Sequence, residues 1–260
     1  MKTIGKLFFI LGLVFFVTTT ANAQEFKRTL KSPVNIIIHS LYGELNIEGI
    51  PGNDLVITTE GYKPPPSRAD GLKPIYSTSE DNTGIGLSVE EEGNQVTIVG
   101  ASKQSQDATY YLKVPENATL SIDLSSPFAD DVEISKVKGE LDVESLSSDI
   151  KLLDITGPAV IHSISGTIEG NFSTISQVNP SSISTVSGEI DLAIPEDGPA
   201  NLEISTTTGE IYSNLDLEFE KEGEKNMKRI GGRTIKGKLG NGGITLKFTS
   251  VSGEIYLRKK

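Results

Sequence analysis

Apolar and polar side chains alternate over many short stretches of this chain. After Gly139, for example, Leu141 and Val143 are apolar, whereas Asp142 and Glu144 are charged. Alternation with a period of two is typical of a β-strand that buries one face. No window beyond the first residues shows sustained helical periodicity. The pattern therefore predicts an all-β protein.

The alternating stretches belong to an internal repeat. Four consecutive nine-residue blocks, starting at Val137, each open with an aliphatic residue and carry a small residue in third place. Two such blocks fit one coil of 18 residues, and later coils are longer. Five glycines, most of them in the phrases ISGTI, VSGEI or TTGEI, follow one another at separations of 22, 21, 22 and 22 residues: Gly166, Gly188, Gly209, Gly231 and Gly253.

A repeat of this length cannot bury its own apolar face. Stacked coils bury a continuous core, with neighbouring strands about 4.8 Å apart. The repeat therefore predicts a β-solenoid with coils of about 18–22 residues. An antiparallel β-sandwich, which also uses regularly spaced short strands, is the alternative architecture. In the solenoid we expect the last residues, 256–260, to form a charged strand that closes the C-terminal end of the stack.

One segment, residues 61–84, interrupts the repeat as a proline-rich loop insertion. Pro64, Pro65 and Pro66 lack backbone donors and favour an extended polyproline II conformation. A loop of about 20 residues without repeat character is usually functional or disordered. Three of its residues are candidates for binding a partner, because their types are enriched at binding hot spots: Tyr62, Arg68 and Tyr76.

The same loop has a structural alternative. Leu72 and Ile75 are apolar residues that a loop bracing the first coils would insert into the core. The sequence leaves partner binding and bracing open.

The N-terminus carries an export signal. Lys2 and Lys6 precede an apolar run over residues 7–17, and Ala21-Asn22-Ala23 follows. This is the pattern of a secretory signal peptide, and the run is too short to span a bilayer. We therefore expect a signal peptide over residues 1–23 and a single domain over 24–260, with no transmembrane anchor. The absence of cysteine excludes a lipoprotein anchor.

Composition removes several classes of chemistry. The 260 residues contain no cysteine and two histidines, which excludes disulfides, thiolate zinc sites, cysteine nucleophiles and three-histidine metal sites. The net charge of −11 argues against nucleic-acid binding. An exported chain without cysteine fits the periplasm or cell surface of a Gram-negative bacterium. We expect no cofactor and no metal.

The remaining candidates for chemistry are repeated positions. His39 and His162 each lie four residues before a glycine and occupy the same place in the repeat. A shared metal site would need them close together, but 123 residues separate them, so a turn or groove position is the preferred interpretation.

Acidic residues also recur at one position of the repeat, after its small residue: Glu44, Glu140, Asp149, Glu189, Glu210 and Glu254. In a solenoid such residues stack, and we expect Asp149, Glu189, Glu210 and Glu254 to form a ladder of carboxylates interrupted at Thr167. Carboxylate oxygens can bind calcium. A solvated face that keeps the protein soluble is the preferred interpretation.

Several phrases resemble a known family. VSGEI, TTGEI and VSGEIYL, with the glycine-rich residues 240–243, resemble a bacterial family of exported β-solenoids of unknown function that are proposed adhesins. Residues 69–74 and 82–87 are similar to members from Bacteroidetes-type bacteria. The clearest similarity begins near Val186, and weaker similarity covers most of 34–260. The resemblance implies a solenoid fold and export, and it carries over no catalytic residue.

These observations predict a non-enzymatic envelope or surface protein that binds an envelope or extracellular macromolecule. A carbohydrate-active β-helix enzyme is one alternative, but no carboxylate stands in a distinctive motif. An accessory protein of envelope-stress signalling is another. An Asp, Lys and Arg patch clustered in one groove would favour the enzyme.

Overall fold

The chain forms two long β-sheets that enclose an apolar core. The computed structural model describes residues 25–69, 71–72, 79–101, 106–219 and 233–260. These residues form 21 strands and one short 3-10 helix, Ser67–Ala69. The strands are β1 (Glu25–Thr29), β2 (Asn35–His39), β3 (Gly43–Ile50), β4 (Asp54–Glu60), β5 (Leu87–Glu92), β6 (Gln95–Gly100), β7 (Thr109–Pro115), β8 (Thr119–Leu124), β9 (Ala129–Ser135), β10 (Leu141–Ser145), β11 (Ile150–Ile155), β12 (Ala159–Ser163), β13 (Ile168–Phe172), β14 (Ser181–Thr185), β15 (Ile190–Ile194), β16 (Ala200–Thr206), β17 (Ile211–Ser213), β18 (Leu217–Phe219), β19 (Arg233–Leu239), β20 (Ile244–Ser250) and β21 (Ile255–Lys259).

The strands stack as a two-sided β-solenoid. Sheet 1 has ten strands in the order β1-β4-β7-β3-β9-β11-β13-β15-β21-β17, and sheet 2 has eleven in the order β18-β19-β16-β20-β14-β12-β10-β8-β2-β6-β5. Each coil contributes one strand to each sheet, and strands of adjacent coils are parallel. The predicted solenoid is confirmed, and parallel pairing excludes the antiparallel sandwich.

The order of coils in space differs from their order in the chain at both ends. The coils follow one another as β6–β7, β2–β3, β8–β9, β10–β11, β12–β13, β14–β15, β20–β21 and β16–β17. The last strand, β21, pairs with β15 on one side and β17 on the other. The expectation that residues 256–260 close the C-terminal end is therefore wrong. Similar repeat phrases in neighbouring coils do not specify which coil stacks on which.

Antiparallel strands close the two ends of the stack. At one end β4 pairs with β7, β1 pairs with β4, and β5 pairs with β6. At the other end β19 pairs with β16 and β18 with β19. Lys236 of β19 also forms an ion pair with Glu203 of β16 at 2.6 Å. The reversal of direction ends the parallel repeat, and the charged side chains discourage further pairing.

The alternation in the sequence places one face of every coil in the core. Strand β16, for example, has a fully alternating burial pattern. Inward-facing residues of successive coils line up in rows, one of which is Ile122, Val143, Ile161, Ile183, Phe248 and Ile204. Each member of this row is at most 2% exposed. Burial of such a side chain contributes about 1.5–3 kcal/mol, so the rows are the main source of stability.

The repeated glycine phrases form the turns that lead from sheet 2 into sheet 1 along one side of the solenoid, here called the front edge. In each turn a buried hydroxyl accepts a hydrogen bond from the amide three residues later: Gly166 to Ser163 (2.9 Å), Gly188 to Thr185 (3.0 Å), Gly253 to Ser250 (2.8 Å) and Gly209 to Thr206 (3.0 Å). A Cβ on any of these glycines would overlap a backbone carbonyl of the adjacent coil. Close stacking therefore explains their spacing. Gly231 lies outside the described residues.

Candidate functional site

The loop over residues 61–84 leaves the solenoid between β4 and β5. Tyr62 is half-buried, and its hydroxyl donates a hydrogen bond to Asp81 Oδ2 at 3.4 Å. Burial, and then the negative charge of Asp81, raise the pKa of Tyr62 to about 12. Arg68 is exposed in the short 3-10 helix. Tyr76 lies outside the described residues. Binding of a partner by these three residues stays a prediction.

The second part of this loop is tied to the first coils by its polar side chains. The Asp81 carboxylate accepts hydrogen bonds from the amides of Thr83 (3.0 Å), Gly84 (2.8 Å) and Gly86 (2.9 Å). The Asn82 side-chain amide donates a hydrogen bond to the carbonyl of Val89 in β5 at 3.0 Å, and the Asn82 side-chain oxygen accepts one from the Val89 amide at 2.9 Å. Asn82 therefore occupies the outer edge of sheet 2, as an added strand would.

The apolar residues that anchor the loop differ from those that the sequence suggested. Ile85 is fully buried, and its carbonyl accepts a hydrogen bond from the Tyr110 hydroxyl at 2.8 Å. Leu72 is 71% exposed, so the alternative in which it enters the core is wrong. Ile75 lies outside the described residues. Alternation gave no indication of Ile85, because it follows a glycine in an irregular segment.

The two histidines lie in one row on the outer face of sheet 2. Strand register places Asp123 and Glu144 between His39 and His162. His162 Nδ1 lies 3.0 Å from Ser184 Oγ, and His39 Nδ1 lies 3.3 Å from Ser40 Oγ. Two strands separate the histidines, so they do not contact each other. Among the described residues, no group of three or more histidine or carboxylate side chains is arranged to hold a metal ion.

Most of the recurring carboxylates form one row on the outer face of sheet 1, here called the acidic column. Its members in spatial order are Glu44, Asp131, Asp149, Thr167, Glu189, Glu254 and Glu210. The predicted ladder and its interruption at Thr167 are confirmed. Glu140 lies next to β10 of sheet 2 instead. Asp131 was missed because the turn before it lacks the glycine phrase.

Two members of the acidic column stabilise the stacking itself. Asp131 Oδ1 accepts a hydrogen bond from the amide of Asp149 at 2.9 Å, and Asp149 Oδ1 accepts one from the amide of Thr167 at 2.7 Å. Each bond connects one coil to the next. These carboxylates therefore have a structural role that needs no ligand.

A shallow depression of about 340 Å³ lies on this face. Its charged and polar lining residues are Glu44, Asp131, Glu133, Asp149, Lys151, Thr167 and Glu169. Lys151 pairs with Glu133 at 2.9 Å, and this hydrogen bond raises the pKa of Lys151. The depression clusters carboxylates with one lysine but is lined by no arginine, so it matches only part of the Asp, Lys and Arg patch that would favour the enzyme alternative.

Two tyrosines stack on the same face near the other end of the solenoid. The rings of Tyr212 and Tyr256 lie 5.2 Å apart with an interplanar angle of 10°. Arg258 packs over Tyr256 and forms a bidentate hydrogen bond with Asp191. The sequence gave no signal for this pair, because β17 and β21 are 44 residues apart in the chain and meet only through the altered coil order.

The fold and its exposed rows define a two-sided β-solenoid with extended polar outer faces. Residues 120–258, more than half of the chain, match the Toastrack DUF4097 family. The chain belongs to this family, which confirms the resemblance seen in its glycine phrases.

Solved structures with a similar fold are distant in sequence. A proposed cell adhesion protein from Clostridium sporogenes is 12% identical with a TM-score of 0.48, covering 92% of this chain and 100% of its own. A proposed adhesin from Bacteroides fragilis is 14% identical with a TM-score of 0.40, covering 93% and 98%. One from Parabacteroides distasonis is 12% identical with a TM-score of 0.34, covering 89% and 95%. No curated protein matches the chain.

Proposed function

We propose that this protein is a non-enzymatic, exported component of the bacterial envelope or cell surface that binds another macromolecule, as an adhesin does. One observation carries the proposal: the described residues present long, regular outer faces rather than a deep cavity. Eight stacked coils extend over about 34 Å at strand spacing. Stacked repeats of this kind provide extended surfaces suited to large partners.

Export is the first part of this proposal. The first described strand begins at Glu25, two residues beyond the proposed cleavage site after Ala23. Cleavage there leaves every strand that the structure describes in the mature chain. No helix among the described residues is long and apolar enough to cross a membrane. Intact-mass measurement of exported protein is expected to show the loss of residues 1–23, and exported material that retains Met1 would contradict the proposal.

Partner binding through the loop is the second part. The contacts of Asp81, Asn82 and Ile85 brace the loop against the first coils. Residues 64–74 can therefore be replaced by a glycine-serine linker without removing this brace. We expect an unchanged melting temperature and reduced capture of the partner from native envelopes. The Arg68→Ala variant tests the candidate side chain within the replaced segment, and the Tyr76→Ala variant tests the candidate just outside it. Replacement of residues 220–230 by a linker of equal length is the control. A large fall in melting temperature would show that 64–74 also braces the fold, and unchanged capture would remove the loop from the binding surface.

The enzyme alternative retains one specific observation, the depression that contains Asp149 and Lys151. Incubation of the mature protein with envelope polysaccharides, followed by measurement of new reducing ends or unsaturated products, tests it. Turnover that Asp149→Asn abolishes, in a variant that still folds, would overturn the non-enzymatic assignment.

A further inference from the structure

A row of apolar side chains runs along the front edge of the solenoid. It takes one residue from each of six consecutive coils and is here called the edge stripe: Tyr42, Phe128, Leu146, Ile164, Val186 and Val251. Phe128 is 63% exposed, Ile164 41% and Val251 46%. At a strand spacing of about 4.8 Å, the six positions extend over about 24 Å.

The geometry of the turns directs four of these side chains outward. In the coils from β10–β11 to β20–β21, a buried hydroxyl at the end of the sheet 2 strand bonds the turn. The residue that follows this hydroxyl is exposed or half-buried in each of the four coils: Leu146, Ile164, Val186 and Val251. The amide of Val186 donates to the carbonyl of Ser163 at 3.2 Å, and that of Val251 to Thr185 at 3.3 Å. These bonds keep successive turns in line. At the start of the stripe, Tyr42 and Phe128 pack edge to face, with their ring centroids 6.3 Å apart.

The fold does not require an apolar residue at this position. Thr207 occupies the equivalent place in the last coil and is exposed. On the opposite edge of the solenoid, Val137 in the turn before β10 and Ile155 at the end of β11 are each 1% exposed, whereas Val178 in the turn before β14 is 77% exposed. Single exposed apolar residues are ordinary, but a continuous row of them marks an interaction surface.

Carboxylates flank the edge stripe on both sides. On the sheet 1 side, four of its residues are followed three positions later by a member of the acidic column: Asp131, Asp149, Glu189 and Glu254. On the sheet 2 side lie Asp123 and Glu144. In the part of the chain that the structure describes, none of these six forms an ion pair with a lysine or arginine. Two residues further along the strands of sheet 1, by contrast, Glu133 pairs with Lys151 at 2.9 Å and Asp191 with Arg258 at 2.6 Å.

We propose that the edge stripe binds a cationic amphipathic helix of a partner protein. The apolar face of such a helix would cover the stripe, and its flanking lysines and arginines would meet the carboxylates that have no lysine or arginine partner. A helix presents apolar residues about every 5.4 Å along its axis, close to the spacing of the coils, and about 16 residues cover 24 Å. A second copy of this chain or an anionic membrane would bring like charge to the same carboxylates.

This inference rests on the proposed binding role and names the chemistry of one partner. Its test uses a defined peptide rather than envelope extract. A negative result therefore refutes the helix site and leaves the capture experiment on the loop unaffected.

The probe is a synthetic amphipathic peptide of about 18 residues made of leucine and lysine, with its leucines on one helical face. The control peptide has the same composition in an order that distributes the leucines around the helix. We expect binding of the first peptide and at least about tenfold weaker binding of the second, measured by titration calorimetry.

Two sets of variants locate the site. The triple variant Ile164→Thr, Val186→Thr and Val251→Thr installs the residue already present at Thr207, so its melting temperature is expected to stay unchanged while affinity falls at least about tenfold. Glu189→Gln with Glu254→Gln should also weaken binding. The control Glu90→Gln with Glu92→Gln removes equal charge from the exposed end of β5 and should not.

Three outcomes would overturn the proposal. The first is equal affinity of the two peptides, or an unchanged affinity in the triple variant. The second is a concentration-dependent dimer in sedimentation that the triple variant abolishes, which would assign the stripe to a second copy. The third is binding to phosphatidylglycerol vesicles through the stripe, which would assign it to a membrane.

Discussion

Replacement of Gly253 by alanine tests the close stacking of the front-edge turns. Gly253 lies directly against the carbonyl of Gly188 in the adjacent coil, and an added Cβ would overlap that oxygen. Its φ is not in the left-handed region, so backbone conformation alone would make alanine neutral or favourable. A loss of stability would therefore come from the contact between coils.

The expected size follows from the two ways in which the structure can respond. Overpacking of a tight contact costs about 1–3 kcal/mol. Separation of the coils instead weakens ladder hydrogen bonds worth about 1 kcal/mol each, and β21 pairs on both of its sides. We therefore expect Gly253→Ala to lower the free energy of unfolding by about 3 kcal/mol, which corresponds to about 6–12 °C in Tm for a domain of this size.

Thermal unfolding followed by far-ultraviolet circular dichroism, with guanidinium unfolding for the free energy, measures the effect. Gly93→Ala is the matched control, because Gly93 has a φ of +66° but no atom within 4 Å of the added Cβ. It is expected to cost about 1 kcal/mol through backbone strain alone. A Gly253→Ala variant as stable as the native protein, or no less stable than Gly93→Ala, would refute the stacking argument.

Three further outcomes are expected. The Asn82→Ala variant leaves the Val89 amide and carbonyl without their side-chain partner and should lower stability by about 1–3 kcal/mol, measured by guanidinium unfolding; no change would show that the brace contributes nothing. Deletion of residues 251–260 removes β21 from between β15 and β17, so we expect loss of cooperative unfolding rather than fraying of one edge, and a cooperative, monomeric product would contradict the coil order. The raised pKa of Tyr62, about 12 against 10, contributes stability that is complete below pH 10 and is lost as the pH rises towards 12; Tyr62→Phe should lose less stability over that interval, and an identical loss would contradict the role of its burial and of Asp81.

Much of the architecture was accessible from local patterns. Alternation predicted the strands, because one face of each had to be buried, and the spacing of glycines such as Gly188 predicted coils of nearly constant length. The same regularity predicted the row of carboxylates, since residues at one place in a coil stack when the coils do. The loop at 61–84 was recognised by its prolines, although the residues that tie it down, Asp81 and Asn82, act through side-chain bonds that no periodicity reveals.

The candidate surfaces depended more strongly on tertiary structure. Ile164 of the edge stripe and Val137 both open a repeat block, but Ile164 is exposed and Val137 is buried. The direction of the turn decides whether such a residue faces solvent or the core. Ile164 follows Ser163, whose buried hydroxyl bonds the turn, whereas no such hydroxyl precedes Val137. The stack of Tyr212 on Tyr256 likewise requires β21 to lie between β15 and β17.

By itself, the sequence determined that this chain forms a β-solenoid, that its coils have about 18–22 residues, and which residues of each strand face inward. These properties follow from local alternation and from steric limits at glycine, which act within one coil or between any two similar coils. The order of the coils, the capping strands and the course of the edge stripe were decided only by tertiary structure. Coils with nearly identical inward faces can stack in several orders, and the choice among them depends on the contacts of the whole stack and on its ends.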